Sequence, residues 1–239
     1  MHIAPYSVMS SSYRESQRAV AISKRVEFAI PGDVLERLAP CSTSIQVSAR
    51  REIVAQGQDA SCCYMIASGC ARSVRILEDG RRQVAAFLFP GDLFGWEADE
   101  QHEVGAEAIT PVNVLRVVSA ALDALALRDP VVGRWLRAVS AKQSRAVSER
   151  LAVLGCLSAP ERIAHFMLGL ANRPGIAVGG QIVLPMCRRD IADYLGLTVE
   201  TISRCLSQYE RDAVLAVKSD KITILDHDAL EFAGAGLSL

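Results

Sequence analysis

The sequence predicts an α+β chain: a β-rich first half, one long helix, and a smaller C-terminal domain built on two short helices and a hairpin. Three observations predict it. Between about Ser42 and Val118, short apolar and β-branched segments (SIQVSA, EIVAQG, CCYMIASG, ARSVRILEDG, RQVAAFLFPGD, NVLRV) are punctuated by turn residues. Turn signals roughly 8 to 12 residues apart are how an antiparallel sandwich or barrel reads. Beyond Ala120 the apolar residues fall at helical spacing instead. Near the C-terminus, two helical stretches meet at a single glycine, Gly196.

With 239 residues the chain has room for more than one domain. Residues 1–27 are polar and Ser-rich and read as a flexible arm. Val26 to Leu38 suits a short amphipathic helix, interrupted at Pro31 and Gly32. The β-rich domain then occupies 28–120. Its best hairpin runs from Arg72 to Phe89, where Val74 and Ile76 alternate with polar neighbours before Asp79-Gly80, a two-residue turn signal. Pro90, Gly91 and Asp92 close the following strand.

A long helix and hinge occupy 121–157. Val132, Val139, Ala146 and Val153 recur every seven residues with Trp135, Leu136 and Leu154 beside them. Such a seam either pairs with a second copy of the helix or lies on the chain's own sheet. Gln143 and Arg150 interrupt neighbouring seam positions, so a coiled coil here would be imperfect. Ser158 and Glu161 form a capping box, with Pro160 in the first turn where no hydrogen bond is lost. A new helix therefore starts near Ala159, opening the last domain, 158–239. Its helix gives way to a Gly-rich loop, Asn172 to Gly180.

Half the residues are hydrophobic and 22% are charged, the balance of a folded chain with a sizeable core. No apolar run approaches the roughly 18 to 20 residues that span a bilayer. The opening segment MHIAPYSVMSSSYRESQRAV lacks a basic stretch followed by an apolar one, which reads as cytoplasmic with no membrane partner. Seven cysteines without disulfide spacing fit a reducing compartment. The net charge is -1, and residues 156–239 hold eight Lys and Arg against ten Asp and Glu. Bulk charge thus argues against nucleic acid, and any such role must rest on local geometry.

That geometry is present after Cys187. In one register, Ile191, Leu195, Leu197, Ile202 and Cys205 fall where two short helices would face each other, Ala192 at their close contact and Gly196 at the turn. This is a helix-turn-helix pattern. Thr198 is then the N-cap of the second helix, and Glu200, Ser203 and Arg204 share its outward face. An arginine can fork onto guanine O6 and N7, a carboxylate can accept from cytosine N4, and a hydroxyl can serve base or phosphate. The same three residues would equally suit a solvated face with an ordinary Glu to Arg pair. The stretches AVLAV and ITIL flank Lys218-Ser219-Asp220-Lys221, a hairpin whose lysines would meet backbone phosphate or only water.

CRRDIADYLGLTVETISRCLSQYERDAVLAV resembles the DNA-binding region of the CRP/FNR family, and Glu200-Thr201-Ile202-Ser203-Arg204 matches the E-x-x-S-R reading motif of its FNR and FixK branches. The resemblance spans nearly the whole chain. It implies an N-terminal jelly roll of the cyclic-nucleotide-binding kind, a dimerisation helix, and a C-terminal winged helix-turn-helix. By resemblance, Glu200, Ser203 and Arg204 would read a TTGA-like half-site on double-stranded DNA. A homodimer would read its inverted partner and contact RNA polymerase as an activator. Arg188, Arg189, Thr198, Thr201, Lys218 and Lys221 would hold phosphate. Val132, Trp135, Leu136, Val139, Ala146 and Val153 would form the dimer helix.

The sequence departs from two branches of that family. Cyclic-nucleotide binders carry a Gly-Glu pair followed by an arginine for the cyclic phosphate; here Gly95-Trp96-Glu97 is followed by His102-Glu103-Val104-Gly105-Ala106-Glu107-Ala108, with carboxylates and no arginine. Oxygen sensors of the FNR branch hold an iron-sulfur cluster on closely spaced N-terminal cysteines, but residues 1–40 contain none. Cys62 and Cys63 are adjacent and would face opposite ways on a strand. The four histidines are scattered. The expectation is therefore a FixK-like regulator without metal or cofactor, the alternative being a ligand- or haem-sensing jelly roll that gates the DNA domain.

Cys187 stands where the family often has threonine, at a helix N-terminus beside Arg188 and Arg189. That setting suits either a redox-reactive thiol near DNA phosphate or an unreactive replacement for a hydroxyl cap. No Ser/His/Asp, Cys/His or paired-carboxylate arrangement has recognisable spacing, and Gly179-Gly180 lacks the Lys-Ser/Thr of a phosphate loop. Enzyme activity is not expected.

Overall fold

The computed structural model describes residues 30–97, 100–173, 176–178 and 181–234. The expected arm, 1–27, and the expected helix start at Val26 lie outside them. Within them, helix α1 spans Gly32–Leu38 behind Pro31, and a 3₁₀ turn, Ala39–Cys41, leads into the sheets. Eight strands follow: β1 (Ser42–Val47), β2 (Glu52–Val54), β3 (Cys62–Ser68), β4 (Ala71–Ile76), β5 (Arg82–Leu88), β6 (Leu93–Phe94), β7 (Gly105–Ala108) and β8 (Val112–Val118). They form two antiparallel four-stranded sheets, ordered β1-β8-β3-β6 and β2-β7-β4-β5, the jelly roll.

Strand β3 shows why its sequence reads as a nearly continuous apolar run. Tyr64 and Ile66 point into the core between the sheets, with Val54, Ala71, Leu88 and Ala106. Cys63, Met65 and Ala67, on the opposite face, are buried under helices. A strand covered on both faces loses polar alternation. The hairpin between β4 and β5 differs from the expected two-residue turn. Leu77 and Arg81 still share a backbone bond of 2.9 Å, so the loop is the three residues Glu78-Asp79-Gly80. Gly80, at φ 80°, supplies the left-handed residue such a loop needs.

Helix α2 (Ser119–Arg128) and the 27-residue helix α3 (Pro130–Cys156) meet at Asp129, whose carboxylate caps α3 by accepting from the Val131 N–H at 2.8 Å. The same carboxylate accepts from Arg37 Nε at 2.7 Å, tying α1 to this corner.

Part of the expected dimer seam is covered within the protomer. Val132 and Leu136 are buried in the protomer's own core with α1, α2 and the outer face of the first sheet, and half-buried Trp135 and Val139 pack against the same cluster. Val153 is buried as well. The two interrupting polar residues have the same cause. Gln143 Nε2 donates to the Leu93 carbonyl at 2.7 Å, and Arg150 donates to the carbonyls of Ala85 and Val84 at 2.6 and 2.9 Å. Both residues face the roll, and only Ala146 of the six seam residues is exposed.

The C-terminal domain begins with α4 (Ala159–Ala171), where Glu161 accepts from the Ser158 N–H at 2.7 Å to close the capping box. The expected loop over 172–180 contains strand β9 (Ala177–Val178), which pairs with β10 (Gln181–Val183). Helices α5 (Arg188–Leu195) and α6 (Val199–Arg211), strands β11 (Leu215–Lys218) and β12 (Lys221–Ile224), and helix α7 (His227–Gly234) complete the domain. The third sheet is ordered β11-β12-β10-β9. One hydrophobic cluster crosses from the roll (Cys70, Val84, Phe87, Phe89) into this domain (Ile163, Phe166, Met167, Ile191, Leu195).

Since Leu136 is core of a single protomer, Leu136→Ala should cost about 2 to 5 kcal/mol, the range for emptying a buried leucine site. Urea unfolding should show the same loss in dilute and concentrated samples. A loss confined to dilute protein would return Leu136 to an intermolecular seam.

Candidate nucleic-acid interface

Helices α5 and α6 form the two-helix unit. Ile191, Ala192 and Leu195 of the first pack against Ile202, Cys205 and Leu206 of the second, all buried, with Leu197 partly buried beside them. Between the helices Gly196 sits at φ 64° and ψ 39°, the left-handed conformation that a side chain would strain. Arg162, unmarked by any motif in the sequence, secures this corner: Nη1 donates to the Leu195 carbonyl at 3.1 Å, and Nη2 and Nε to the Leu154 and Leu157 carbonyls at 2.9 Å each. An arginine inside an amphipathic helix gives no local sign of this task.

Thr198 caps α6 as expected, its hydroxyl accepting from the Thr201 N–H at 3.1 Å, and the two threonine hydroxyls lie 3.0 Å apart. With one face buried, α6 presents Glu200, Ser203 and Arg204 to solvent. The backbone N–H of Glu200 and the Thr198 hydroxyl hold the Glu200 carboxyl below the usual value, keeping it an acceptor. Ser203 Oγ donates to the Val199 carbonyl at 2.9 Å. Its proton is therefore spent on its own helix, and it offers lone pairs outward.

The phosphate candidates separate. Arg189, Thr198, Lys218 and Lys221 are exposed, and the lysines face each other across the β11-β12 turn, where Ser219 takes φ 59°. Thr201 is half-buried. Arg188 is half-buried too, and its Nη1 has no partner among the described residues. Burial lowers the Arg188 pKa against the opposing charge of Glu210.

Cys187 is exposed at the N-cap of α5, as expected, but the arginines are not what its sulfur meets. Sγ donates to Asp190 Oδ2 at 3.2 Å. The cationic setting expected for Cys187 is corrected accordingly: the immediate neighbour of its sulfur is a carboxylate. Among the other cysteines, Cys63 and Cys70 are buried, and desolvation pushes each thiol up to about 12. Cys205 is buried within the two-helix unit.

Asp190 itself is 2% exposed. It accepts at 2.7 Å from Arg72 Nη1 and from Arg82 Nη2, both on the roll. Arg82 Nη2 also bonds Asp193 at 2.6 Å. Burial would push the Asp190 carboxyl up, but the Arg82 bond, the Cys187 thiol and the charges of Arg72 and Arg82 outweigh it and leave the value lowered. Arg72 reaches Glu107 of β7 as well, at 2.6 Å.

Two family models match this chain: a cyclic nucleotide-binding domain over residues 44–129 and a Crp-like helix-turn-helix domain over 161–233. The nitrogen fixation regulation protein FixK of Azorhizobium caulinodans is 36% identical over 240 residues, covering 96% of this chain and 94% of that protein. FixK of Rhizobium meliloti is 39% identical over 75% of this chain and 82% of its own length. The structure of FixK2 from Bradyrhizobium japonicum superposes with a TM-score of 0.75 at 38% identity, covering 80% of this chain and 96% of that one.

The Asp190 pKa is lower in the folded chain, so its contribution to stability is complete above the unfolded value of about 3.9 and disappears as pH falls through the folded value. Thermal melts of the protein and of Asp190→Asn should differ most at neutral pH and converge below about pH 4. A gap unchanged by acid would remove Asp190 from the account.

Proposed function

The chain belongs to the CRP/FNR family of transcription regulators, with FixK proteins among its relatives, and on that premise we propose that it is a cytoplasmic, homodimeric, sequence-specific activator. The observation that carries the reading is the trio Glu200, Ser203 and Arg204, exposed together on a helix whose other face is fully packed. Its target is a TTGA-like inverted repeat. Arg204 takes the guanine edge, Glu200 accepts from a cytosine amino group and Ser203 offers lone pairs, while Arg189, Lys218 and Lys221 hold phosphate. Activation then runs through contact with RNA polymerase, as the family resemblance implies.

The dimer surface of α3 moves along the helix from the seam first expected. Residues 140–149 are all exposed, and Val147 and Leu151, one turn apart, are 60% and 69% exposed beside Ala146. A long helix with apolar side chains in water supports pairing with a second copy.

The protein binds DNA without cyclic nucleotide or iron-sulfur cluster. Supporting the first point, Glu97 accepts from the Glu103 N–H at 2.9 Å and Glu107 is paired to Arg72, so carboxylates occupy the region where a cyclic phosphate would need cations. Supporting the second, Cys62 and Cys63 lie on opposite faces of β3, one half-buried and one fully buried. Oxidation of the exposed Cys187 modulates binding. Peroxide, reduced to water, converts the thiol to sulfenic and then sulfinic acid, which sets a second anion against Asp190 at the start of α5.

Two measurements test this reading. In binding titrations, Arg204→Ala should lose about 1 to 3 kcal/mol of preference for the guanine-containing half-site, whereas Lys218→Ala should weaken all sequences alike and shallow the salt dependence by about one charge. An unchanged preference in Arg204→Ala would reject the reading face. In gel shifts across a peroxide series, Cys187→Ala should keep its affinity while the parent protein loses it; equal losses would clear Cys187.

A further inference from the structure

The joint between roll and DNA-binding domain is built with more directional bonds than adhesion requires. Arg82 forks across Asp190 and Asp193, one turn apart on α5, at 2.7 and 2.6 Å, while Arg72 approaches Asp190 from the neighbouring strand at 2.7 Å. Asp190 is 2% exposed, and the two guanidinium side chains are 18% and 25% exposed. From the third side comes Arg150 of α3. It donates to the Tyr194 carbonyl at 3.0 Å as well as to Val84 and Ala85 of β5, and its guanidinium lies 4.2 Å from the centre of the Tyr194 ring.

Apolar contact is non-directional, so the cluster around Phe87, Phe166 and Tyr194 would hold the domains together yet allow them to roll on one another. Forked guanidinium-carboxylate bonds fix angles as well as distance. Two carboxylates gripped one turn apart set both the rotation and the tilt of an eight-residue helix.

Helix α5 packs directly on the reading helix, and α3 carries the proposed dimer surface. We propose that Arg72, Arg82 and Arg150 are positioning residues for DNA reading. They fix the angle at which each protomer carries its reading helix relative to α3, and through that angle the dimer fixes the spacing between half-sites that it accepts. This inference rests on the homodimeric DNA reading above and assigns it a specificity device in the roll, far from any base. Half-sites one helical turn apart, about 34 Å, leave little tolerance for a loose joint. Buried ion pairs suit such a role, since their desolvation cost offsets much of their attraction and in some systems they specify a single arrangement.

The test uses the full-length protein and a set of duplexes with the same inverted half-sites, the spacer changed by one or two base pairs either way. The parent protein should prefer one spacer by about tenfold or more. Arg72→Leu/Arg82→Leu should bring the spacers within about threefold of one another while keeping the half-site preference that Arg204 gives, because the base contacts themselves are untouched. The variant should melt lower whatever the role of these arginines, because Asp190 is left buried without partners; a purely structural role would in addition weaken every duplex equally and leave the spacer preference as it was. That result, or an undiminished spacer preference, overturns the proposal. Should the double variant fail to fold by circular dichroism, Arg82→Gln, which keeps the Arg72 bond, decides by the same criterion. If the parent protein discriminates no half-site sequence, the DNA reading fails and this inference falls with it.

Discussion

The rest of the structure depends on one buried carboxylate, Asp190, because it is where a helix of the DNA-binding domain becomes rigidly attached to the roll. Among the described residues it is the only buried carboxylate. Removing an ion from water costs several kcal/mol, and the cost is offset only while the opposing guanidinium groups are in place. Arg72 and Arg82 are in place only when the domains are docked as seen. If the joint opened, all three groups would regain hydration, so the network gives direction more than adhesion. Adhesion comes from the aromatic group Phe87, Phe166 and Tyr194, with ring centres 5.1 to 5.9 Å apart, and from the apolar cluster that crosses the boundary.

Rigidity continues outward from that point without a break. Asp190 lies on α5, α5 is locked to α6 by Ile191, Leu195, Ile202 and Cys205, and the turn between them is set by Gly196 and the Arg162 bonds. Thr198 then organises the first turn of α6. Each link is a packed or hydrogen-bonded contact, so the exposed trio inherits its orientation from the roll. Preorganisation of this kind limits what must be ordered on binding.

What could be read from the sequence was what is local. The capping box at Ser158 and Glu161, the left-handed Gly196, the Thr198 cap and the outward trio each depend on neighbours within four residues, and each lies where the spacing put it. The long helix was legible as a helix but not in its allegiance. Val132 and Leu136 look the same in sequence whether a partner or the chain's own sheet covers them, and burial in one protomer decides it. Gln143 and Arg150 carried the missing signal: polar residues inside a seam are awkward in a coiled coil and natural where backbone carbonyls of an adjacent sheet await donors. Arg72 and Asp190 are separated by 118 positions, and nothing in either neighbourhood names the other. Strand β9 escaped for a different reason: two residues beside a Gly pair are too short to show alternation.

The same long-range pairing eases the unfavourable charge balance. Counted along the sequence, the C-terminal domain is acidic, with ten carboxylates against eight cations, which is the wrong balance for a partner made of phosphates. Two of those carboxylates, Asp190 and Asp193, are paired with Arg72 and Arg82, which belong to the roll, with Arg72 shared with Glu107. The surplus is therefore offset in part from outside the domain. Glu161 and Asp212 keep their charge while accepting from Ser158 and Gln208, and Arg189, Arg204, Lys218 and Lys221 are exposed on the two helices and hairpin of the proposed interface, beside the exposed carboxylates of Glu200 and Asp220. The field that a DNA duplex meets is set by which charges are free, and a domain that borrows its counter-ions from a neighbour can bind phosphate with an unremarkable isoelectric point.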